Sequence, residues 1–284
     1  MNTATGEMWL QHTHLDKLYG YLPGLADALP TIFGMSRAAY SETIERFAAQ
    51  ARAAAAELLA DPAFATRVDG LPFQPGQTVL ALGDSITDDL QSWAEILRHV
   101  LDLHRPGHGV RVVNAGLSAH TTAMVLRRWP ATLTAARPDW IICALGGNDV
   151  TRVGPEPTKP QVSRSESTAN LHELRRIAAH STTASWIWMT PVPVREDRIS
   201  EYAAFRYGQS TWRNDDILRL AEEIRGFADP VVDLTATFKV PADPLLQGAD
   251  GVHPTIAGQS AILRALVTHL NAGAGTTDRH TEEA

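Results

Sequence analysis

A serine that follows a buried strand is the first residue of this sequence with the chemistry of a nucleophile. The stretch VLALGDSITDD, residues 79–89, runs from apolar residues into a Gly-Asp-Ser turn, which leaves the hydroxyl of Ser85 where the strand ends. A serine hydroxyl attacks poorly until a base takes its proton, and that base must be oriented by a third group. Asp250 and His253, in DGVHP, can supply both, because this spacing lets one tight turn present the two side chains together.

Hydrogen-bond donors for a developing negative charge follow the next predicted strands. Acyl transfer places negative charge on the carbonyl oxygen, and fixed donors aimed at that oxygen stabilise it. The backbone N–H of Ser85, the N–H of Gly116 in NAGLS and the side-chain amide of Asn148 in GGND are such donors. Glycine at position 116 also lets the backbone approach a ligand closely. We therefore expect these groups to form an oxyanion hole.

Short apolar runs are predicted to be the strands that position these residues. Continuous hydrophobicity, rather than alternation, is typical of strands covered on both faces in a parallel sheet. Helical patterns lie between the runs, and the strand starts fall 30 to 46 residues apart, which fits βαβ units. Such a sheet binds ligands outside the carboxyl ends of its strands. The runs are residues 78–82, 110–113, 140–145, 185–189 and 231–234, and a last helix is predicted over 255–270.

The N-terminal part of the chain has no strand pattern and is predicted to be a helical extension. Ser36 is a suitable N-cap, apolar residues from Tyr40 to Leu59 define one helix face, and the Asp-Pro pair at Asp61 ends it. This helix either packs on the sheet domain as an extra layer, which we favour, or forms a homo-oligomer interface. The predicted organisation is an extension at 1–75, a catalytic domain at 76–270 and a disordered tail at 271–284.

Composition narrows the class of protein. Hydrophobic residues make up 44% and charged residues 20%, as in soluble globular proteins. The formal charge of -7 gives no basic footprint, so we expect no nucleic-acid partner. Cys143 is the only cysteine, which excludes an intrachain disulfide, and its apolar neighbours predict a core position. Without a signal-peptide pattern or an apolar stretch as long as a membrane span, we expect a cytoplasmic protein.

At the residues named above the sequence resembles the SGNH hydrolases, the esterase superfamily also called GDSL. The name lists Ser85, Gly116, Asn148 and His253 in order, and the resemblance covers about residues 77–270. It implies a flavodoxin-like three-layer α/β/α fold with a five-stranded parallel sheet, a Ser-His-Asp triad and no metal or organic cofactor. The second block departs from the family, since it reads NAGLSA where relatives often have another glycine after the serine. The N-terminal extension is not part of the family's core domain.

These features predict a serine esterase that hydrolyses a small or exposed carboxylic ester through an acyl-enzyme on Ser85. An acetylated sugar is one such substrate by analogy with the fold. An acyltransferase using the same acyl-enzyme and a non-catalytic ligand-binding module of this fold stay open, although such a module would normally have lost a triad member. A two-metal phosphoesterase built on His12, His14 and Asp88 is disfavoured, because the histidines lie in the extension without a carboxylate motif.

A run of arginine and aromatic residues follows the fourth predicted strand. These side chains could line a pocket for an acidic or sugar-like acyl acceptor. A solvated helix face with an aromatic anchor is more common, and we favour that interpretation. The residues are Arg195, Arg198, Arg206, Tyr207, Trp212 and Arg213.

Overall fold

A parallel β-sheet with helices on both faces organises the chain in the computed structural model, which describes residues 3–274. The sheet has five strands in the order β2-β1-β3-β5-β7, and β4 pairs antiparallel with β6 in a separate ribbon. Each predicted apolar run forms a strand of the sheet, so the predicted α/β fold is confirmed. The strands are β1 (Thr78–Gly83), β2 (Arg111–Asn114), β3 (Trp140–Ala144), β4 (Arg152–Val153), β5 (Ser185–Met189), β6 (Ser210–Thr211) and β7 (Val231–Val232).

Helices precede, connect and follow these strands. The N-terminal ones are α1 (Thr3–His12), α2 (Leu15–Tyr19), α3 (Leu25–Ile32), α4 (Arg37–Leu59) and α5 (Pro62–Asp69). Within the sheet domain are α6 (Ser85–Asp88), α7 (Trp93–His104), α8 (Thr122–Ala136), α9 (Arg164–Ser181), α10 (Glu196–Glu201), α11 (Ala203–Tyr207), α12 (Asn214–Arg225), α13 (Leu234–Phe238) and α14 (Ile256–Ala274). Among these helices, none is both long and apolar enough to cross a bilayer.

Both faces of the sheet are buried, which explains why the strands are continuously apolar. Side chains of β1 alternate between two hydrophobic clusters, Val79 and Ala81 on one face and Leu80 and Leu82 on the other. Helices α4, α5, α7 and α14 cover the first face, and α8, α9 and α12 cover the second. Cys143, in β3, is fully buried in the second cluster, as its neighbours predict.

The long helix of the extension forms where the sequence predicts it. The Ser36 hydroxyl accepts a hydrogen bond from the N–H of Ala39 at 3.1 Å and caps α4, which ends before Asp61. Buried residues on one face of α4, such as Ala51 and Ala55, belong to the cluster that contains the β1 residue Val79. The helix is therefore an additional layer on the sheet, and an oligomer interface on its outer face stays a prediction.

The last helix is longer than its pattern predicts. Helix α14 continues to Ala274, so residues 271–274 are helical and do not begin a tail. The side-chain amide of Asn271 donates to the carbonyl oxygens of Arg67 and Val267 at 2.8 and 2.9 Å, which ties this end to α5. The rest of the predicted tail, residues 275–284, lies outside the described residues.

Several elements of the fold were not predicted, among them α8, β4 and β6. Helix α8 contains Pro130, a residue that usually marks the end of a helix in a sequence. Strands β4 and β6 have two residues each, which is too short for a periodic pattern.

Candidate active site

The turn after β1 fixes Ser85 at the carboxyl edge of the sheet. Gly83 ends the strand, and a Cβ at this position would collide with the side chain of Thr87 and approach the carbonyl oxygen of Ala144. The Asp84 carboxylate caps α6 by accepting from the N–H of Ile86 at 3.1 Å, and burial raises the pKa of Asp84 to about 6. Ser85 is the first residue of α6, so its own N–H lies at a helix N-terminus.

Hydrogen bonds from β2, α7 and α14 hold α6 to the sheet domain. The Asn114 amide, at the end of β2, donates to the carbonyl oxygen of Thr87 at 2.7 Å. The Gln259 amide, from α14, donates to the carbonyl oxygen of Ile86 at 3.0 Å. The Trp93 indole, from α7, donates to the Thr87 hydroxyl at 3.1 Å. The element that carries Ser85 is therefore anchored to the neighbouring strand and to two long helices.

Ser85, His253 and Asp250 form a continuous row, as their types and spacing predict. The Ser85 Oγ lies 2.9 Å from His253 Nε2, and His253 Nδ1 lies 2.6 Å from Asp250 Oδ2. The other carboxylate oxygen, Asp250 Oδ1, accepts from the backbone N–H groups of Val252 and His253 at 2.8 and 2.9 Å. These two bonds fix the carboxylate, which in turn fixes the imidazole.

The charges of the row favour an ionised carboxylate and a basic imidazole. Burial raises the pKa of Asp250, but its hydrogen bond and attraction to His253 outweigh burial, and the net pKa is lowered. Burial lowers the pKa of His253, but the hydrogen bond and charge of Asp250 outweigh it, and the net pKa is raised. His253 is thus equipped to take a proton from Ser85.

The turn that carries Asp250 and His253 rests on α10 and the segment before it. Gly251 has φ +79°, and a Cβ there would collide with the carbonyl oxygen of Arg195. The N–H of Arg195 donates to the Gly251 carbonyl at 2.8 Å. The Arg198 guanidinium donates to the carbonyl oxygens of Gln247 and Gly248 at 2.5 and 2.9 Å. Arg198 therefore braces the turn, a role that differs from the solvated helix face favoured from the sequence.

A narrow apolar pocket lies beside Ser85. Its cavity volume is about 40 Å³. Asn148 lies in its wall, and so does Trp212, whose indole donates to the Gly147 carbonyl at 3.0 Å. From the sequence, Trp212 is either part of a pocket lining or the aromatic anchor of a helix face, and the second is favoured because no local pattern shows that β6 leads back to the site. The apolar side chains that line the pocket include Ile86, Leu145, Met189, Val192, Val194, Trp212, Ile217, Leu234 and Val252.

Gly116 does not fit its predicted role as an oxyanion donor. Its N–H already donates to the side-chain oxygen of Asn114 at 3.0 Å, and Gly116 does not line the pocket beside Ser85. A Cβ at Gly116 would collide with the backbone at Thr87 and Asp88. The glycine is required because the loop packs tightly on α6, so the prediction of a ligand contact is corrected to a packing contact.

The neighbouring loop presents another N–H at Ala119. This residue has φ +62°, in the left-handed region that favours glycine. Among the described residues, its N–H makes no hydrogen bond to a backbone carbonyl oxygen. The loop lies against α6 and against Asn148, because the Ser118 N–H donates to Asp88 Oδ2 at 3.1 Å and the Asn148 amide donates to the His120 carbonyl at 3.3 Å. The sequence signal was the alanine that replaces the family's second glycine.

The N-terminal extension reaches the site, which the sequence did not predict. His14 Nδ1 lies 2.8 Å from Asp88 Oδ1, and Lys17 Nζ donates to the same oxygen at 2.5 Å. His12 turns instead toward Asp89 Oδ2, at 3.6 Å, and stacks on the ring of His253. The two histidines of the disfavoured metal site thus meet different carboxylates. His14, together with Lys17, attaches the extension to α6.

A parallel α/β sheet with a Ser-His-Asp row at its carboxyl edge defines a class, the α/β serine hydrolases. The chain belongs to the GDSL-like Lipase/Acylhydrolase family, whose model matches residues 81–261. It is accordingly an ester hydrolase of the SGNH type, as the sequence predicts.

Two similar proteins are named as esterases. The acetylxylan esterase of Geobacillus stearothermophilus is 28% identical over 216 residues, which is 69% of this chain and 94% of the relative. Esterase TesA of Pseudomonas aeruginosa is 41% identical over 81 residues, which is 27% of this chain and 39% of the relative.

Solved structures show the same fold. The acetylxylan esterase Axe2 of Geobacillus stearothermophilus superposes with a TM-score of 0.52 at 26% identity, over 69% of this chain and 95% of that chain. LAE5, an α/β hydrolase enzyme from the metagenome of Lake Arreo, gives a TM-score of 0.53 at 25% identity, over 71% of this chain and 98% of that chain. Catalytic mutants of Axe2 replace a serine, an aspartate and a histidine with alanine, and its aspartate and histidine are three positions apart.

Proposed function

We propose that this ester hydrolase works through an acyl-enzyme on Ser85, with His253 as base and then acid and Asp250 as the group that orients it. The observation that carries the proposal is the row of hydrogen bonds at 2.9 and 2.6 Å from Ser85 to Asp250. The catalytic serine, aspartate and histidine of Axe2, with the same Asp-x-x-His spacing, support it.

In the first half-reaction Ser85 Oγ attacks the ester carbonyl while its proton passes to His253 Nε2. The tetrahedral intermediate collapses as His253 returns that proton to the leaving alkoxide, which departs as an alcohol and leaves the acyl group on Ser85. In the second half, water attacks the acyl-enzyme and gives a proton to His253. Collapse then releases the carboxylic acid and returns the proton to Ser85 Oγ.

The negative charge of both intermediates needs donors that are fixed before reaction. We assign this role to the N–H of Ser85 and the side-chain amide of Asn148, which both border the pocket. The third donor, which the sequence placed at Gly116, is assigned to the N–H of Ala119. Two observations support this assignment. The Gly116 N–H already donates to the side-chain oxygen of Asn114, and Asn148 contacts His120, the residue next to Ala119.

The acyl group that fits is short. The pocket beside Ser85 has a cavity volume of only about 40 Å³ and apolar walls, which favours a small acyl group such as acetyl. The acetylxylan esterase relative, which aligns over 94% of its length, supports an acetylated sugar as the substrate class.

Covalent labelling with a fluorophosphonate tests the acyl-enzyme without a choice of substrate. Intact mass should show a single adduct on the wild-type protein and none on Ser85→Ala, because only an activated serine reacts. Ser185→Ala, an exposed serine at the start of β5, is the matched control and should label like wild type. A folded wild-type protein that takes no label, or a label that persists in Ser85→Ala, would falsify the proposal.

Asn148→Ala is expected to lower kcat by about 10²- to 10³-fold, with a smaller effect on KM, because an oxyanion donor acts mainly in the transition state. Steady-state kinetics with p-nitrophenyl acetate measure both constants. Asn271→Ala, at the far end of α14, controls for the loss of an amide. A rise in KM at constant kcat would assign Asn148 to substrate binding instead.

Hydrolysis is expected to fall as pH falls through a midpoint above 6.5, the ordinary histidine value. His253 must be neutral to accept the Ser85 proton, and the net effect of Asp250 is to raise the pKa of His253, so the protonated, inactive form persists to higher pH. The measurement is kcat/KM between about pH 5 and 9, which reports groups of the free enzyme. A midpoint below 6.5 contradicts the charge balance described here.

Acyl length is expected to separate substrates sharply. Rates should decline from acetyl to octanoyl esters of one alcohol, because the pocket is narrow, and Trp212→Ala should shift the optimum to longer chains by opening its wall. Tyr207→Ala, 94% exposed and outside the pocket, is the control. Equal rates along the series would contradict a short-acyl pocket.

Product analysis separates hydrolysis from acyl transfer. With an alcohol added to the reaction, a hydrolase releases the carboxylic acid, whereas an acyltransferase forms the ester of the added alcohol.

A further inference from the structure

We propose that His12, in the N-terminal extension, is a positioning residue of the active site that holds the imidazole of His253 in line between Ser85 and Asp250. The inference rests on the proposed function of these three residues. Its main observation is that the rings of His12 and His253 stack, with centroids 4.5 Å apart and an angle of 26° between their planes.

The faces of His253 need a contact that the triad itself does not provide. Its two hydrogen bonds, to Ser85 and to Asp250, lie at the two nitrogens of the ring. Bonds at these atoms fix the ring along the line that joins them, but they resist rocking about that line only weakly. A flat group packed on one face restricts this motion, and productive geometry depends on such packing. The ring of His12 is placed to do this.

His12 is itself fixed relative to Ser85. Its neighbour Gln11 accepts at its carbonyl from the N–H of Leu90 at 3.0 Å, and its side-chain amide donates to both oxygens of Asp89 at 3.1 Å. Two residues further on, His14 binds the carboxylate of Asp88. Both aspartates are buried and follow Ser85 closely in the chain. The extension is therefore bound to the segment that follows Ser85, and this attachment places the ring of His12 on the ring of His253.

Lys17 provides a second attachment on the far side of His14. Its ammonium group donates to Asp88 and, at 3.2 Å, to the carbonyl oxygen of Gly116. Burial raises the pKa of Asp88, but the hydrogen bond from His14 and the charge of Lys17 outweigh it, and the net pKa is lowered. Because Asp88 stays ionised, the attachment of Lys17 to α6 is an ion pair at neutral pH.

The charge state of His12 suits a place beside the catalytic base. Burial, and then the charge of His253, lower the pKa of His12 to about 3, although Asp250 and Asp88 raise it and His14 adds to the lowering. His12 is therefore neutral at neutral pH and does not repel the positive charge that His253 acquires when it takes the Ser85 proton. The side chain is 17% exposed, so it also keeps water from one face of His253.

The test compares His12→Ala, which removes the stack, with His12→Phe, which keeps a flat ring. The rate of fluorophosphonate labelling of Ser85 is measured as a function of pH. We expect His12→Ala to lower the rate by about tenfold, since small misplacement of a reacting group is costly. We expect His12→Phe to retain most of the rate. His180→Ala, an exposed histidine at the end of α9, is the matched control and should behave like wild type.

The pH profile separates positioning from a general loss of stability. Asp250, Asp89 and Asp84 face His253 and raise its pKa, whereas burial lowers it. Removal of the His12 ring admits water to one face of His253, so burial lowers the pKa of His253 less. The midpoint of labelling should therefore move to higher pH in His12→Ala. It should stay near the wild-type position in His12→Phe.

The outcomes distinguish the two proposals. A wild-type protein that is not labelled on Ser85 overturns the proposed function and this inference with it. A labelled wild type with unchanged rate and midpoint in His12→Ala overturns the inference alone, as does an equal loss in His12→Ala and His12→Phe. Thermal unfolding verifies that each variant is folded. If His12→Ala is not folded, His12→Leu replaces it. Leucine removes the flat face but keeps the bulk that excludes water, so the same loss of labelling rate is expected, with a midpoint near that of the wild type.

Discussion

Replacement of Ser85 or of His253 with alanine is expected to lower kcat for hydrolysis of a short ester by about 10⁶-fold, and replacement of both to cost little more. The two side chains act as a unit, because the Ser85 hydroxyl at 2.9 Å from His253 Nε2 is reactive only while that nitrogen takes its proton. Once either member is absent, the other has no function left to lose. The loss in the double variant should therefore resemble each single loss.

The measurement is kcat with p-nitrophenyl acetate for wild type, both single variants and the double variant. Ser185→Ala and His180→Ala are matched controls on exposed side chains distant in the fold from the row. Losses that multiply in the double variant would show that Ser85 and His253 contribute independently, which is incompatible with a base and nucleophile joined by one proton transfer.

The sequence was sufficient to predict the row because two simple rules place it. Asp250 and His253 are close along the chain, so one turn brings them together. Ser85 is 168 positions from His253, but it follows β1, and ligand sites of open α/β sheets lie where the strands end. Continuous apolar runs are reliable signals of such strands because both faces of the sheet are covered.

Gly116 shows where a local rule is insufficient. A glycine indicates that something approaches the backbone closely, but it does not say whether the neighbour is a ligand or another part of the chain. Here the neighbour is the backbone at Thr87 and Asp88. At Ala119 the situation is reversed, because a φ of +62° at a residue with a Cβ has no signature in the sequence itself.

The docking of His12 could not be predicted for a different reason. Periodicity reports which face of a helix is buried, but not which distant element covers that face. The short α1 ends at His12, and its contacts with Asp89 and His253 join segments far apart in the chain. Charged partners such as Lys17 and Asp88 resemble ordinary surface residues until the fold buries Asp88 and brings Lys17 to it.

Asp250→Asn is expected to lower kcat by about 10⁴-fold, more than a simple loss of charge would suggest. In the native protein Asp250 Oδ1 accepts from two backbone N–H groups, of Val252 and His253, and Oδ2 lies against His253 Nδ1. An asparagine in this place keeps its carbonyl oxygen on the two N–H groups, so its amide must point at Nδ1. His253 then accepts at Nδ1 and carries its proton on Nε2, where it cannot take the proton of Ser85.

Two measurements separate this tautomer effect from electrostatics alone. Asp250→Ala offers no donor to Nδ1, so it should retain more activity than Asp250→Asn even though it lacks the same charge. Since Asp250 raises the pKa of His253, the acid limb of kcat/KM should move to lower pH in both variants. Asp229→Asn, in an ion pair with Arg175 just before β7, controls for the substitution. Equal activities for the two Asp250 variants would reject the tautomer mechanism, and an acid limb that does not move would reject the assignment of His253 as the titrating base.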